Sequence, residues 1–168
     1  MKATECLNTE HGVFLTQLSV LETLLNQGAS TEVLRAVTLT IAAAVEKHRD
    51  VEEKFLYPAI LREYGAGFPP IQVMEAEHKQ IEECIKGIEE HHKETQGMVR
   101  AFIDTLRQHI GKEINVLFPL AEEKISAREL EQIACHCVDD YHASACVPPA
   151  ATAIFCPGGA GSGRHHPH

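Results

Sequence analysis

The sequence predicts an all-α protein, an up-down-up-down four-helix bundle followed by a short fifth helix and a flexible C-terminal tail. Three observations predict this fold class. Apolar residues recur at steps of three, four and seven through four long segments, which is the spacing of amphipathic helices. No segment alternates apolar and polar residues over a useful length. The connections between the four segments are short, as they are in antiparallel bundles.

The first helix is predicted over about residues 7–26, with Gly28 after it as a C-terminal stop. Its apolar face carries Leu7, Phe14, Leu18, Leu21 and Leu25. The second helix is predicted over about residues 31–64, and Ser30 or Thr31 can serve as its N-cap. A glycine- and proline-rich run then breaks the helical pattern.

The third helix is predicted over about residues 71–92 and the fourth over about residues 95–124, each with an apolar face at helical spacing. Ser126 is followed three residues later by Glu129, which is a capping-box pattern. A short fifth helix is therefore expected over about residues 127–140.

The composition changes abruptly near residue 143 to Ala, Pro, Gly, Cys and His. We therefore predict a bundle domain over residues 1–142 and a flexible tail over residues 143–168. The end of the fifth helix and the tail hold side chains that could bind a metal or sense redox state. These are Cys135, His136, Cys137, His142, Cys146, Cys156, His165, His166 and His168. Their spacings lack the paired CxxC arrangement of structural zinc, so specific metal binding there stays open.

Charge and composition exclude several classes of partner. Fifteen Lys and Arg against 24 Asp and Glu give a formal net charge of −9, and no basic cluster is present to neutralise phosphates. We therefore expect neither nucleic acid nor a membrane as a partner. No stretch approaches the length of a membrane span, and no targeting segment is visible. Six cysteines in a chain of 168 residues favour reduced thiols, so a cytoplasmic location is expected.

The chain contains an internal repeat. The second predicted helix reads HRDVEEKFLYP over residues 48–58, and the fourth reads HIGKEINVLFP over residues 109–119. Both have His, Glu four residues later, and then Leu, an aromatic residue and Pro at the same offsets. The first and third helices also match, through Glu-His pairs that end at His11 and His78. The bundle is therefore one helix pair written twice.

The HxxxE spacing brings a histidine and a glutamate together, because residues i and i+4 lie on one helical face. The apolar residues around them indicate that this face is buried. Six ionisable side chains are therefore expected to converge on the bundle interior. They are His11, His48, Glu52, His78, His109 and Glu113.

Two interpretations of these six side chains compete. A single histidine on an apolar face is usually a core residue with a hydrogen-bond partner. Four histidines with two carboxylates at matched positions fit that interpretation poorly, because burying unpaired carboxylates is costly and no Lys or Arg shares their face. A metal is the more economical neutraliser. Six nitrogen and oxygen ligands exceed what one tetrahedral zinc binds, and favour two iron or manganese ions bridged by the carboxylates.

A ferritin-like di-iron site is the nearest structural alternative, and it uses Glu-x-x-His on two helices. Glu75 and His78 fit that spacing, but Glu89 and His92, the other occurrence, lie on the same predicted helix. The sequence therefore lacks the second Glu-x-x-His motif, on another helix, that a ferritin-like site needs.

The single histidines and the doubled HxxxE with its Leu-aromatic-Pro run resemble the hemerythrin-like (HHE cation-binding) family of non-haem di-iron four-helix bundles. The resemblance covers about residues 5–124. It implies two non-haem iron ions as the cofactor, with Glu52 and Glu113 as bridging ligands. The full implied ligand set is His11, His48, Glu52, His78, His109 and Glu113.

The ligand pattern differs from that of oxygen-carrying members, which have a fifth histidine one turn from that of the third helix. Met74 and Glu82 flank His78 at those positions, so Glu82 is either an extra ligand or a solvated helix residue. The missing histidine argues against simple oxygen carriage. Members that repair iron–sulfur clusters use a similar ligand set but carry a cysteine pair ahead of the bundle, where this chain has only Cys6.

The resemblance implies a protein that binds or reduces a small diatomic ligand (O2 or NO) or peroxide, in oxygen, NO or redox stress or in iron handling. An electron-transfer partner is a further expectation. The alternatives are an iron-sensing, iron-storage or binding module without turnover, an iron–sulfur cluster repair protein, and an interaction scaffold with a vestigial site. The sequence leaves open whether the protein is an enzyme.

Overall fold

The computed structural model describes residues 1–90 and 94–138, which contain helices and no strand. This confirms the predicted all-α class. Seven α-helices and two π-helical turns occur in the described ranges. In chain order they are α1 (Ala3–Asn26), α2 (Thr31–Val51), the first π turn (Glu52–Leu56), α3 (Tyr57–Tyr64), α4 (Pro69–Glu89), α5 (Thr95–Lys112), the second π turn (Glu113–Leu117), α6 (Phe118–Lys124) and α7 (Ala127–Val138).

The elements join into four long rods and one short helix. The first π turn links α2 and α3 into one rod, and the second links α5 and α6 into another. Both α1 and α4 pack against α2 and α5, so the four rods form a closed bundle, as predicted. The fifth helix of the prediction, α7, lies against α1, α2 and the first π turn.

The predicted helix boundaries are close to the observed ones. The first helix begins earlier than predicted, at Ala3, because the Glu5 carboxylate accepts the Lys2 backbone N–H at 2.8 Å and closes the first turn. The Ser126 hydroxyl accepts the Glu129 backbone N–H at 3.2 Å, which caps α7 as predicted. The end of the third predicted helix at residues 91–92, the last two residues of the fifth and the whole predicted tail lie outside the described residues.

The two π turns each end just before a proline, Pro58 in α3 and Pro119 in α6. A proline inside a helix lacks an N–H donor and its ring clashes with the carbonyl four residues earlier. The wider π turn accommodates the proline, so the rod continues instead of ending. Each π turn also begins at the glutamate of an HxxxE motif, which places the irregular backbone at the candidate site.

The core consists of two apolar clusters on either side of a polar layer. One cluster surrounds Leu7, Leu56 and Leu117, and the other surrounds Phe14, Ile81 and Leu106. The predicted ligands fall between them along every rod. In the described ranges, no helix is both long and apolar enough to cross a membrane.

Candidate metal centre

The six side chains predicted to converge lie in the polar layer and are deeply buried. None of them is more than 6% exposed. They come from four different rods of the bundle. The exposures are His11 1%, His48 6%, Glu52 0%, His78 5%, His109 2% and Glu113 0%.

The four histidines form two matched pairs. The Nε2 atoms of His11 and His48 are 2.9 Å apart, and their ring planes are inclined by 51°. The Nε2 atoms of His78 and His109 are 3.0 Å apart, with an inclination of 49°. The sequence repeat is therefore also a repeat in geometry.

Each carboxylate reaches across both histidine pairs. Glu52 places Oε1 3.0 Å from His48 Nε2 and Oε2 3.4 Å from His78 Nε2. Glu113 places Oε2 3.1 Å from His11 Nε2 and 3.3 Å from His109 Nε2. Both glutamates thus contact one histidine of each pair.

The donor atoms fall into two groups that could each hold a metal ion, and within each group the atoms lie within 4.8 Å of one another. The first group is His11, His48, Glu52 and Glu113, and the second is Glu52, His78 and His109. All six predicted residues are therefore brought together, and Glu52 belongs to both groups.

In three of the four histidines, the second ring nitrogen, Nδ1, is hydrogen-bonded to another carboxylate. In each case the ring Nδ1–H donates to a glutamate oxygen of a neighbouring helix. The pairs are His48–Glu10 at 2.6 Å, His78–Glu53 at 2.7 Å and His109–Glu77 at 3.4 Å. Lys112 also donates to Glu77. With the proton on Nδ1, each Nε2 can present its lone pair to the centre of the layer.

The donor chemistry fits a bound cation. Both oxygens of Glu52 and Oε2 of Glu113 are buried and have no hydrogen-bond partner in the described part of the chain. Buried carboxylates are costly unless a positive charge faces them, and a metal ion supplies that charge by accepting their lone pairs and those of the facing Nε2 atoms.

The electrostatics show how strongly the layer attracts positive charge. Burial lowers the pKa of His48, but the carboxylates of Glu52 and Glu10 raise it more, to about 10. Burial likewise lowers the pKa of His109, and Glu113 outweighs it and raises the pKa to about 10. Burial raises the pKa of Glu52, but the adjacent histidines hold it well below its usual range. Metal ions would therefore replace protons at this site.

Two aromatic residues at matched positions of the repeat lie against the histidines. Tyr57 stacks on His78 with ring centroids 5.7 Å apart, and Phe118 stacks on His11 at 5.4 Å. The Tyr57 hydroxyl donates to Glu113 Oε1 at 3.0 Å. Burial and the two central carboxylates raise the pKa of Tyr57 well above its usual range, so the hydroxyl remains a donor.

A small cavity of about 10 Å³ adjoins all four histidines. This is close to the space that one water molecule occupies. Its walls are otherwise mostly apolar, and they include Phe14, Val45, Ile81, Ile85, Leu106 and Ile110.

The structure also separates the candidate residues that the sequence left open. The Glu82 side chain is 66% exposed and its carboxylate lies 3.4 Å from Arg49 Nη1, outside both donor groups. This favours Glu82 as a solvated helix residue. Glu75, which the ferritin-like alternative requires, is exposed on α4.

Sequence reasoning missed the three carboxylates that accept hydrogen bonds from the histidine Nδ1–H groups. Glu10, Glu53 and Glu77 each stand next to a predicted ligand in the chain, and that adjacency was the available signal. A residue beside a ligand on one helix reaches a histidine on the neighbouring helix, which a single-helix pattern does not show.

Fold and site together define the class of protein, a helical bundle with a buried histidine and carboxylate layer suited to metal ions. The chain belongs to the hemerythrin family, because the family model described as the Hemerythrin HHE cation binding domain matches residues 2–121. This confirms the predicted resemblance.

One curated relative is a DNA nickase from Nostoc sp. (strain PCC 7120 / SAG 25.82 / UTEX 2576). It is 27% identical over 119 residues, which are 70% of this chain and 34% of the relative. The chain thus spans about a third of that relative's length. No solved structure matches the chain.

Proposed function

We propose that the protein is a non-haem di-iron protein whose buried centre binds or reduces a small diatomic ligand, O2 or NO, or peroxide. The observation that carries this proposal is the pair of donor groups joined through Glu52. The proposed ligands are His11, His48, Glu52, His78, His109 and Glu113.

Two features of the donor set favour two iron ions over one zinc ion. The set mixes imidazole nitrogens with carboxylate oxygens, and neither donor group contains a thiolate. Glu52 and Glu113 each contact a histidine of both pairs, which is the arrangement expected of bridging carboxylates in a bundle core. Iron held in this way supplies reversible one-electron redox change and open coordination positions.

The residues around the donor set hold it in place. Glu10, Glu53 and Glu77 fix the orientation of three imidazole rings through their Nδ1–H groups. The Tyr57 hydroxyl holds a proton towards Glu113 Oε1 and limits the rotation of that carboxylate.

The cavity supports the proposed ligand class. About 10 Å³ is roughly the space of one water molecule, which is too little for an extended substrate, and beyond the histidines the walls are mostly apolar apart from Glu46 and Arg49. O2, NO and peroxide have only two heavy atoms each and are closer to this size than an organic substrate is. Because the four histidines are at most 6% exposed, a ligand bound against them would be largely shielded from solvent.

A reducing function requires an electron-donating partner, and oxygen, NO or redox stress in the cytoplasm is the setting we propose for it. DNA nicking is not part of the proposal. The net charge of −9 is unfavourable for binding a polyphosphate, and the match covers 34% of the nickase.

The proposal is tested by loading the protein anaerobically with ferrous iron and recording absorption spectra before and after adding O2, NO or hydrogen peroxide. We expect new near-ultraviolet or visible absorption with at least one of the three, in proportion to bound iron. A variant with both Glu52→Gln and Glu113→Gln should lose the response. A wild-type chain that holds two irons but responds to neither gas nor peroxide would contradict ligand binding at this centre.

A further inference from the structure

Two thiols from distant parts of the chain meet beside the metal centre. Cys6 lies in α1 and Cys137 in α7, 131 positions apart in the sequence, and these two helices pack against each other. Cys137 packs against the apolar cluster that contains Ala3 and Leu7 of α1, and each of the two thiols is close enough to the other to shift its pKa. Both thiols are free, and both are partly exposed. Two free cysteines brought together from distant parts of the chain are the starting arrangement for a disulfide.

This thiol pair adjoins the carboxylate that holds His48. Cys6 stands one helical turn before Glu10 in α1, so the two residues share a face of that helix. Cys137, Glu10 and His48 line the same cleft, which has a volume of about 510 Å³. A change at the thiol pair therefore occurs beside the cleft through which solvent approaches the Glu10–His48 hydrogen bond.

The helix that carries Cys137 packs on the bundle through Leu130, Ile133 and Ala134, which lie in the apolar cluster around Leu7. Near its start, Glu129 forms an ion pair with Arg62 at 2.9 Å. Towards its end, the His136 ring stacks on Phe55 with centroids 3.7 Å apart. It contacts α1, α2 and the first π turn at the periphery of the bundle. A covalent link at Cys137 would fix the end of α7 that lies furthest from its N-cap.

We propose that Cys6 and Cys137 form a reversible disulfide, a redox modification site that clamps α7 onto α1 at the wall of the cleft. The oxidant is a small disulfide such as oxidised glutathione. One cysteine thiolate attacks the glutathione disulfide, which releases one glutathione and leaves a mixed disulfide. The second cysteine then displaces the other glutathione. Two protein thiols are oxidised and one glutathione disulfide is reduced to two glutathione thiols.

The environment of the pair sets its resting state. Burial raises the pKa of both thiols, and the neighbouring Cys6 raises that of Cys137 further. Because the thiolate is the reactive form, the reduced pair exchanges slowly at neutral pH. Oxidation should therefore be followed to equilibrium.

The test uses the full chain without iron, so that its outcome is independent of the proposed di-iron function. The protein is equilibrated with reduced or oxidised glutathione, alkylated, digested and analysed by mass spectrometry. We expect the alkyl groups at Cys6 and Cys137 to be lost on oxidation, with a peptide containing Cys6 joined to one containing Cys137. Dithiothreitol should restore both adducts. Retention of both adducts after equilibration would overturn the proposal, and this readout needs no variant.

Two single variants show which cysteine of α7 forms the cross-link with Cys6. Cys135→Ser is the matched control, because Cys135 is also partly exposed on α7 but directs its thiol to the Glu131 carbonyl. It should keep the cross-link, whereas Cys137→Ser should lose it. A cross-link from Cys6 that persists in Cys137→Ser would contradict the assignment.

Closing so long a loop should raise the melting temperature of the wild type by roughly 10 °C on oxidation. The α7 amides should also exchange hydrogen more slowly in the oxidised chain. No such difference is expected for Cys6→Ser, and equal values for the two wild-type states would oppose the clamp.

Discussion

At the residue scale, the hydrogen bond at Nδ1 determines how firmly each histidine ring is held. His78 donates to Glu53, whereas His11, its counterpart in the repeat, has no hydrogen-bond partner at Nδ1 in the described part of the chain. The repeat explains this difference, because Ile114 stands where the other half has Glu53. The two halves of the donor layer are therefore held unequally.

The missing hydrogen bond at His11 predicts the effect of Glu53→Ile, a substitution that introduces at position 53 the residue found at the matching position, Ile114. We expect iron affinity to fall by roughly 10-fold or more, because the His78 ring loses the partner that orients it. Competition with a ferrous chelator measures the change. Glu82→Ile is the control, since Glu82 lies on the surface near Arg49 and should leave the affinity unaltered. Equal affinities for wild type and Glu53→Ile would show that Glu53 does not orient a ligand.

Tyr57→Phe is the second prediction at this scale, and it copies Phe118 of the other half. Glu113 loses its hydroxyl partner, so iron affinity should fall by roughly 10-fold. Tyr64→Phe is matched to it, because the Tyr64 hydroxyl donates to the Leu120 carbonyl away from the donor layer. Each variant should lose about 1 kcal/mol of unfolding free energy. Loss of affinity in both variants alike would point to general destabilisation.

At the scale of elements, the helix pattern was predictable and the π turns were not. Periodicity located every rod, because an apolar face is a property of residues three and four apart. Pro58 and Pro119 inside predicted helices were the signal for irregular backbone. The change from an α to a π turn, however, depends on how the whole rod packs, so local propensity did not reveal it.

A glycine substitution tests the helix interior without touching the ligands. An added Cβ at Gly12 in α1 meets no atom within 4 Å, so Gly12→Ala should raise the unfolding free energy by about 0.5–1 kcal/mol. Gly65→Ala should lower it, because Gly65 follows α3 with φ of +97°. Chemical denaturation measures both, and iron content should match the wild type. A destabilised Gly12→Ala would contradict the packing described for α1.

For the whole molecule, the candidate ligands connect all four rods at one layer between the two apolar clusters. His11, His78 and the two HxxxE motifs were predictable because the repeat marks them twice. Glu10, Glu53 and Glu77 were not, because their partners lie on other helices and depend on how the rods are arranged.

Iron loading should therefore stabilise the bundle as a unit. We expect the melting temperature of the iron-loaded protein to exceed that of the chelator-treated protein by roughly 10 °C, because iron binds the folded state alone. Differential scanning calorimetry measures the shift. It should be much smaller in Glu52→Gln, which removes the carboxylate shared by both donor groups. Equal melting temperatures with and without iron would contradict a site built across four rods.

The most direct measurement is the amount of iron bound per chain. The protein is loaded anaerobically with ferrous iron, desalted and analysed for iron and protein by inductively coupled plasma mass spectrometry and amino-acid analysis. Two donor groups that share Glu52, with Glu113 also in contact with a histidine of each pair, predict two irons per chain for the wild type. One iron or fewer per wild-type chain would contradict the di-iron centre.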